Sequence, residues 1–249
     1  MSRTGRLALL AVASLGAAVF MVWGLAGLPS FGHYHGVYGH IINARGVAER
    51  HATNVVNSIV FDYRGIDTVG EEFILFAAVM GVTLLLRVQR REHEESPEDH
   101  SAERKLVDTS DAVRVASLIL IGPFVLLGLY VVAHGTLTPG GGFQGGAVLV
   151  AAPIMIYLGG RYLQFRSVSP MAALDFGEGA GAGGFVIIGL VGMIVASAFL
   201  FNFLPLGQSG NIFSGGMLPL INVSVGLEVA AGVVLVIYEF LEQTLMVRV

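Results

Sequence analysis

Few residues in this chain could do chemistry, and one of them stands where a charge is least welcome. Glu228 lies ten residues beyond Leu218, inside the apolar run INVSVGLEVAAGVVLVIYEF at 221–240. A helix rises about 1.5 Å per residue, which puts Glu228 about 15 Å into a span, near the centre of a bilayer. A bare carboxylate is costly there, so the side chain must face protein or water. It is a candidate proton carrier, or the partner of a cation on another helix. Asn222, Ser224 and Asn202 are the polar groups expected beside it. A second acidic stretch, FDYRGIDTVGEE at 61–72, opens another apolar run. Thr68 followed by Glu71 has the spacing of a capping box, and carboxylates at Asp67 and Glu71 suit the positive end of a helix. Glu72 lies one step further round and is not explained by capping, which makes it the stronger functional candidate of the group.

The other conspicuous residues point away from catalysis. His33, His35, His40 and His51 fall in one polar stretch, four of the seven histidines in the chain. HxH spacing in a Gly/Tyr-rich loop without Cys or carboxylate partners reads as polar packing at a membrane interface, so no metal site is expected. The chain has no cysteine, which excludes disulfides, thiolate nucleophiles and iron–sulfur clusters, and no cofactor is expected. HGTLTPGGGFQGG, from His134 to Gly146, contains a GxGxxG pattern at Gly140, Gly142 and Gly145. A dinucleotide site needs that pattern between a strand and a helix, with an acid about 20 residues on. Here an apolar helix precedes it and the next acid is Asp175. The expected structure is a tight turn whose glycines let one helix approach another closely, with Gln144 free to hydrogen-bond across the contact.

These residues must be positioned by helices in lipid. Of the 249 residues, 54% are hydrophobic and only 13% charged, against about 25% charged in soluble domains, and the mean hydropathy is +0.74. The net charge of -4 does not suggest nucleic acid as a partner. Six stretches are long and apolar enough to cross: Leu7–Leu28, Val69–Leu86, Ala112–Ala133, Gly145–Leu163, Gly183–Leu204 and Leu218–Leu241. The first is longer than the apolar core of a signal peptide and is expected to be retained. With the amino terminus inside, eleven of the fourteen Lys and Arg residues fall on the inner side, leaving only Arg45, Arg50 and Arg64 outside. Both termini are therefore expected in the cytoplasm. The fold class is an all-α integral membrane protein of about six transmembrane helices, two plus four. A two-helix module at 1–90 and a four-helix module at 112–249 are divided by a charged cytoplasmic linker at 91–111. Asn54–Phe61 is apolar but short, and suggests a helix at the outer boundary or packed under other subunits. Pro153 is expected to kink the fourth span, and Gly192 with Ala196 to permit close helix packing.

Two stretches resemble a known family. NVVNSIVFDYRGIDTVGEEFILFAAVMGVTLLL, at 54–86, resembles the carboxyl-terminal part of the large A subunit of Mrp-type multisubunit sodium/proton antiporters, a piece that corresponds to the small E subunit (MbhE) of membrane-bound hydrogenases. TPGGGFQGGAVLVAAPIMIYLGG at 138–160, with residues 221–240, resembles the B subunit, the MnhB domain. The resemblance implies an accessory, non-enzymatic subunit in the cell inner (plasma) membrane. Its partners would be other membrane subunits, lipid, and sodium ions or protons. It also implies that Asp62, Glu72 and Glu228 line a cation route; Glu71, His134, Gln144 and Asn222 complete the candidate set. A redox-driven ion-pumping complex and an ion-coupled bicarbonate uptake system are the alternatives that use similar parts.

Overall fold

The computed structural model of the chain describes residues 3–28, 32, 36–86, 109–160 and 162–246. His33, His35, Arg161 and residues 87–108 of the charged stretch lie outside the described residues. The chain divides into two units, 1–41 and 42–249. All regular elements among the described residues are helical, and six helices are long and apolar enough to cross a membrane.

The first unit is built on α1 (Arg3–Ala26), a run of apolar residues with no charge after Arg6. α2 (Val37–Arg50) closes it and enters the second unit, where Ile42 and Gly46 are buried. Sequence reading missed α2, because its mixture of polar and apolar residues carries no spanning signal. His51 ends it in the left-handed region, φ 54°, and its Nδ1 lies 2.5 Å from the carbonyl oxygen of Gly207.

The second unit is the bundle. Asn54 caps α3 (Val55–Ser58) by accepting from the Asn57 N–H at 3.3 Å. The chain then runs through a π-helical turn at Ile59–Tyr63 into α4 (Gly65–Leu86). This corrects two expectations. Residues 54–61 pack inside their own chain, with Phe61 edge-on to Phe185 at 5.9 Å between ring centroids. α4 starts four residues before Val69, so Thr68 is no cap: its hydroxyl donates to Val60 O at 2.6 Å and ties the π turn to the helix. Asp67 sits in the first turn and pairs with Arg64.

α5 (Asp111–Ala133), capped by Ser110, and α6 (Gly142–Gly159) pack closely: a Cβ on Gly128 would meet Leu149 Cγ at 2.6 Å. Gly140 and Gly141 have φ of 130° and 146°, which glycine alone adopts without strain. A Cβ on Gly145 would meet Gly128 O at 2.8 Å, and one on Gly146 would meet Gly226 O at 2.8 Å, so the glycine turn does permit backbone approach on two sides. α6 continues through Pro153 and ends at Gly159, and a short α7 (Tyr162–Val168) follows.

α8 (Met171–Ala196) departs most from expectation, beginning twelve residues before Gly183 and stopping eight before Leu204. GEGAGAGG at 177–184 is expected from sequence only at the opening of the span, yet it lies well inside the helix and its small residues form the seam against α9 (Leu218–Met246). A Cβ on Gly177 would meet Ala231, one on Gly181 would meet Glu228, and one on Gly184 would meet Ser224; α8 and α9 therefore run antiparallel. Gly192 serves the segment that follows its own helix, where an added Cβ would meet Phe201 N at 2.7 Å, and Ala196 is exposed. That segment folds back over the bundle, Leu200 N bonding Gly189 O at 3.2 Å, with Leu200 and Met217 buried in the core.

A buried carboxyl core between α4, α8 and α9

Glu72 on α4 is 4% exposed, Glu228 on α9 is 0% and Glu178 on α8 is 2%. The side chains of Glu72 and Glu228 face one another across the contact between α4 and α9, and Glu178 lies beside the next turn of α9. Both oxygens of Glu228 are buried without an amide, hydroxyl or guanidinium partner, as are Glu72 Oε2 and Glu178 Oε1. Facing carboxylates repel strongly in an apolar interior, and a proton or a monovalent cation between them removes the repulsion. The two acids singled out from sequence are thus brought together. Glu178 was missed because the fifth span is expected from sequence to start at Gly183, which leaves Glu178 outside it; the signal that marks it is the four-residue spacing of Gly177 and Gly181, which aligns one face of a helix.

A cavity of about 230 Å³ reaches Glu72, with Asn57, Thr68, Glu71 and Gln144 among its lining residues. That is room for several waters. Glu71 and Gln144 are exposed and contribute to the cavity wall rather than to the carboxyl core.

Asn222 plays a different part from its neighbour Glu228. Asn57 Nδ2 donates to Asn222 Oδ1 at 3.0 Å, and Asn222 Nδ2 donates to Asn57 Oδ1 at 3.1 Å. Asn222 Oδ1 also accepts from Gly142 N–H at 2.8 Å, and its Nδ2 donates to Leu218 O at 2.9 Å. Asn54 Nδ2 donates to Gly135 O at 2.7 Å and Thr138 O at 2.9 Å. The 54–57 segment and α9 therefore hold the glycine turn from both sides. Replacing Asn222 by Ala takes a hydrogen-bond partner from the buried Asn57 amide and from the Gly142 N–H, at about 1–3 kcal/mol for each group left unpaired. A clearly lowered unfolding temperature in detergent is the expected result, and an unchanged one would show the clamp to be dispensable.

Asp62 is engaged apart from the core. Its Oδ1 pairs with Arg50 Nε at 2.9 Å, and its Oδ2 accepts from Asn202 Nδ2 at 3.0 Å. Asn202 Oδ1 in turn accepts from Met217 N–H at 2.9 Å, so Asn202 joins the Asp62 network and is not directed to Glu228. The Arg50 guanidinium lies 4.7 Å over the Tyr63 ring, and the Tyr63 hydroxyl donates to Glu49 at 2.6 Å. Burial, reinforced by that bond to Glu49, pushes the Tyr63 hydroxyl up to about 12, so it remains a donor at any physiological pH. His134 caps the end of α5 and stacks on Tyr130 at 4.0 Å between centroids.

Six helices long and apolar enough to cross a membrane, with an acid core buried between α4, α8 and α9, define a multi-pass membrane protein of the ion-transport class. Two family models match: the E subunit of MBH (MbhE) over residues 3–103, and a domain related to the MnhB subunit of Na+/H+ antiporter over residues 112–235. The chain belongs to the Mrp-type antiporter-like membrane subunits that join an MbhE module to an MnhB-related domain. An uncharacterised protein of Methanocaldococcus jannaschii is 31% identical over 234 residues, 87% of each chain. The probable A/B subunit of a K(+)/H(+) antiporter of Rhizobium meliloti is 29% identical over 151 residues, which are 53% of this chain but only 15% of that one. Among solved structures, a chain of the membrane-bound sulfane sulfur reductase, an archaeal respiratory membrane complex, has a TM-score of 0.70 and 30% identity, covering 96% of this chain and 99% of that one. A chain of the Mrp complex from Dietzia sp. DQ12-45-1b has a TM-score of 0.69 and 26% identity, covering 96% of this chain and 26% of that one.

Proposed function

We propose that the chain is an accessory membrane subunit of a multisubunit cation/proton antiporter of the Mrp type, supplying acidic residues to a sodium or proton path and helping to hold the complex together. The observation that carries this reading is the meeting of Glu72 and Glu228 inside the bundle. One lies in the region matched by MbhE and the other in the region matched by MnhB. Buried acids in a membrane interior cost stability and are retained for proton or ion movement. The two modules, 1–90 and 112–249, would be joined by a cytoplasmic linker at 91–111, with both termini inside, as the distribution of Lys and Arg supports. Asp62, held by Arg50 and Asn202, would be a second polar station on the cavity side, with Gln144, Glu71 and Asn222 as the wall and its support.

A second reading is favoured by the match to almost the whole of a sulfane sulfur reductase chain: the same protein in a redox-driven complex, with the acids serving the same ion movement. Purification of the tagged chain in mild detergent tests both. Antiporter-like membrane subunits alone, with sodium-dependent proton movement in vesicles, are the expected result. Co-purifying redox subunits would favour the second reading, and a chain isolated without membrane partners that transports by itself would overturn both.

A further inference from the structure

The carboxyl core is not a nest around one point. Among the described residues, no three acidic or histidine side chains converge as metal ligands do. The acids are instead spaced along the bundle. Val79 on α4 stands beside Gly232 on α9, so Glu72, seven residues earlier, is level with Val225, about 10 Å along α9, and Glu228 stands about 15 Å along it. A Cβ on Gly232 would meet Glu178 Oε1 at 3.5 Å and Val79 Cγ2 at 3.1 Å. Glu178 therefore lies beside α9 about 21 Å from its start, one turn beyond Glu228. α4 and α9 run parallel and α8 antiparallel, so Glu72, Glu228 and Glu178 succeed one another in a single direction through the bundle. The next acid in that direction is Asp175, exposed, three residues before Glu178 on α8 and four residues from its start. Residues three apart on a helix share a face. At the opposite end of the series, Glu72 borders the cavity of about 230 Å³.

Two features set Glu178 apart from a satisfied structural acid. Its Oε1 is buried without a partner, and the residue facing it on α9 is a glycine, Gly232, where an added Cβ would stand 3.5 Å from that oxygen. A Cβ at 232 would touch the carboxyl group at ordinary contact distance and crowd Val79 Cγ2 at 3.1 Å, so the glycine leaves the acid its space beside α9.

We propose that Glu178 is a proton-carrying station that continues the path from Glu228 toward the α8 end of the bundle, with Asp175 as its opening on that side. This rests on the reading of Glu72 and Glu228 as a path. The proton moves between carboxyl oxygens, one acid gaining it as its neighbour loses it, with no change of redox state. The opening at the other end is the cavity beside Glu72, so one chain would carry acids along about half the thickness of the bilayer.

The test uses the whole complex in inverted membrane vesicles, with a dye that follows proton movement. Glu178→Gln keeps the shape and removes the titratable group; the expected result is a loss of proton movement of about ten-fold or more, with the same subunits co-purifying. Glu178→Asp is expected to recover most of the rate and to shift its pH profile, which a packing role would not do. If Glu178→Gln moves protons at the wild-type rate while Glu228→Gln does not, the extension to Glu178 is overturned and the proposed function stands. If neither substitution has an effect, the proposed function falls as well. Should Gln at 178 prevent assembly, the exposed Asp175→Asn carries the test: a several-fold lower rate supports the opening, and an unchanged rate overturns it.

Discussion

Glu228→Gln is expected to lower ion-coupled proton movement by about ten-fold or more, the range in which loss of a positioned proton-transfer group usually falls, while the complex assembles normally. Glutamine matches glutamate in volume, so the packing of a residue that is 0% exposed is preserved. It cannot take up and release a proton, and it can bond the Glu72 carboxyl without competing for charge. Glu72→Gln is expected to give the same loss. Because the two acids act as one unit, the double substitution should be little worse than either single one. Vesicle assays of the purified complex, with its composition checked in the same preparations, decide the matter. Full transport by an assembled Glu228→Gln complex would refute a path through this pair.

The second large effect is on packing. A Cβ on Gly181 would stand 2.5 Å from Glu228 N and 2.7 Å from its Cα. Those are backbone atoms at the middle of α9 and have no rotamer by which to give way, so Gly181→Val must part α8 from α9. Helices in lipid associate through close van der Waals contact and not through a hydrophobic driving force, and a widened seam loses what holds it. The chain should fail to accumulate or to assemble. Gly179→Val is the control, two residues away on the same helix with nothing within 4 Å of an added Cβ. It should leave expression and assembly unchanged. Equal tolerance of both substitutions would mean that the α8–α9 seam contributes little to the fold.

What the sequence by itself determined follows from the solvent. Lipid satisfies no backbone polar group, so each long apolar run has to be a helix. That made the number of spanning helices readable, and it made Glu228 conspicuous as an acid far inside one. The glycine turn at 140–146 was readable for a similar reason, since only glycine permits both the backbone angles and the close approach found there. Where lipid does not dictate, composition misled. α8 begins twelve residues before the expected start at Gly183, because the small residues at 177–184 meet α9 along the helix, and that contact is visible only from α9. Thr68 has the spacing of a cap but bonds back to a π turn that also packs Phe61 against Phe185, a partner 124 residues away.

Only the tertiary structure decided which polar groups share a neighbourhood. Asn222 and Glu228 are six residues apart on α9, yet Asn222 is bound to Asn57 and the glycine turn while Glu228 faces Glu72 and stands near Glu178. Asp62 meets Arg50 and Asn202, partners 12 residues before it and 140 after. Such meetings are set by how helices from distant parts of the chain pack side by side, and a sequence records what each helix carries but not which other helix will stand beside it.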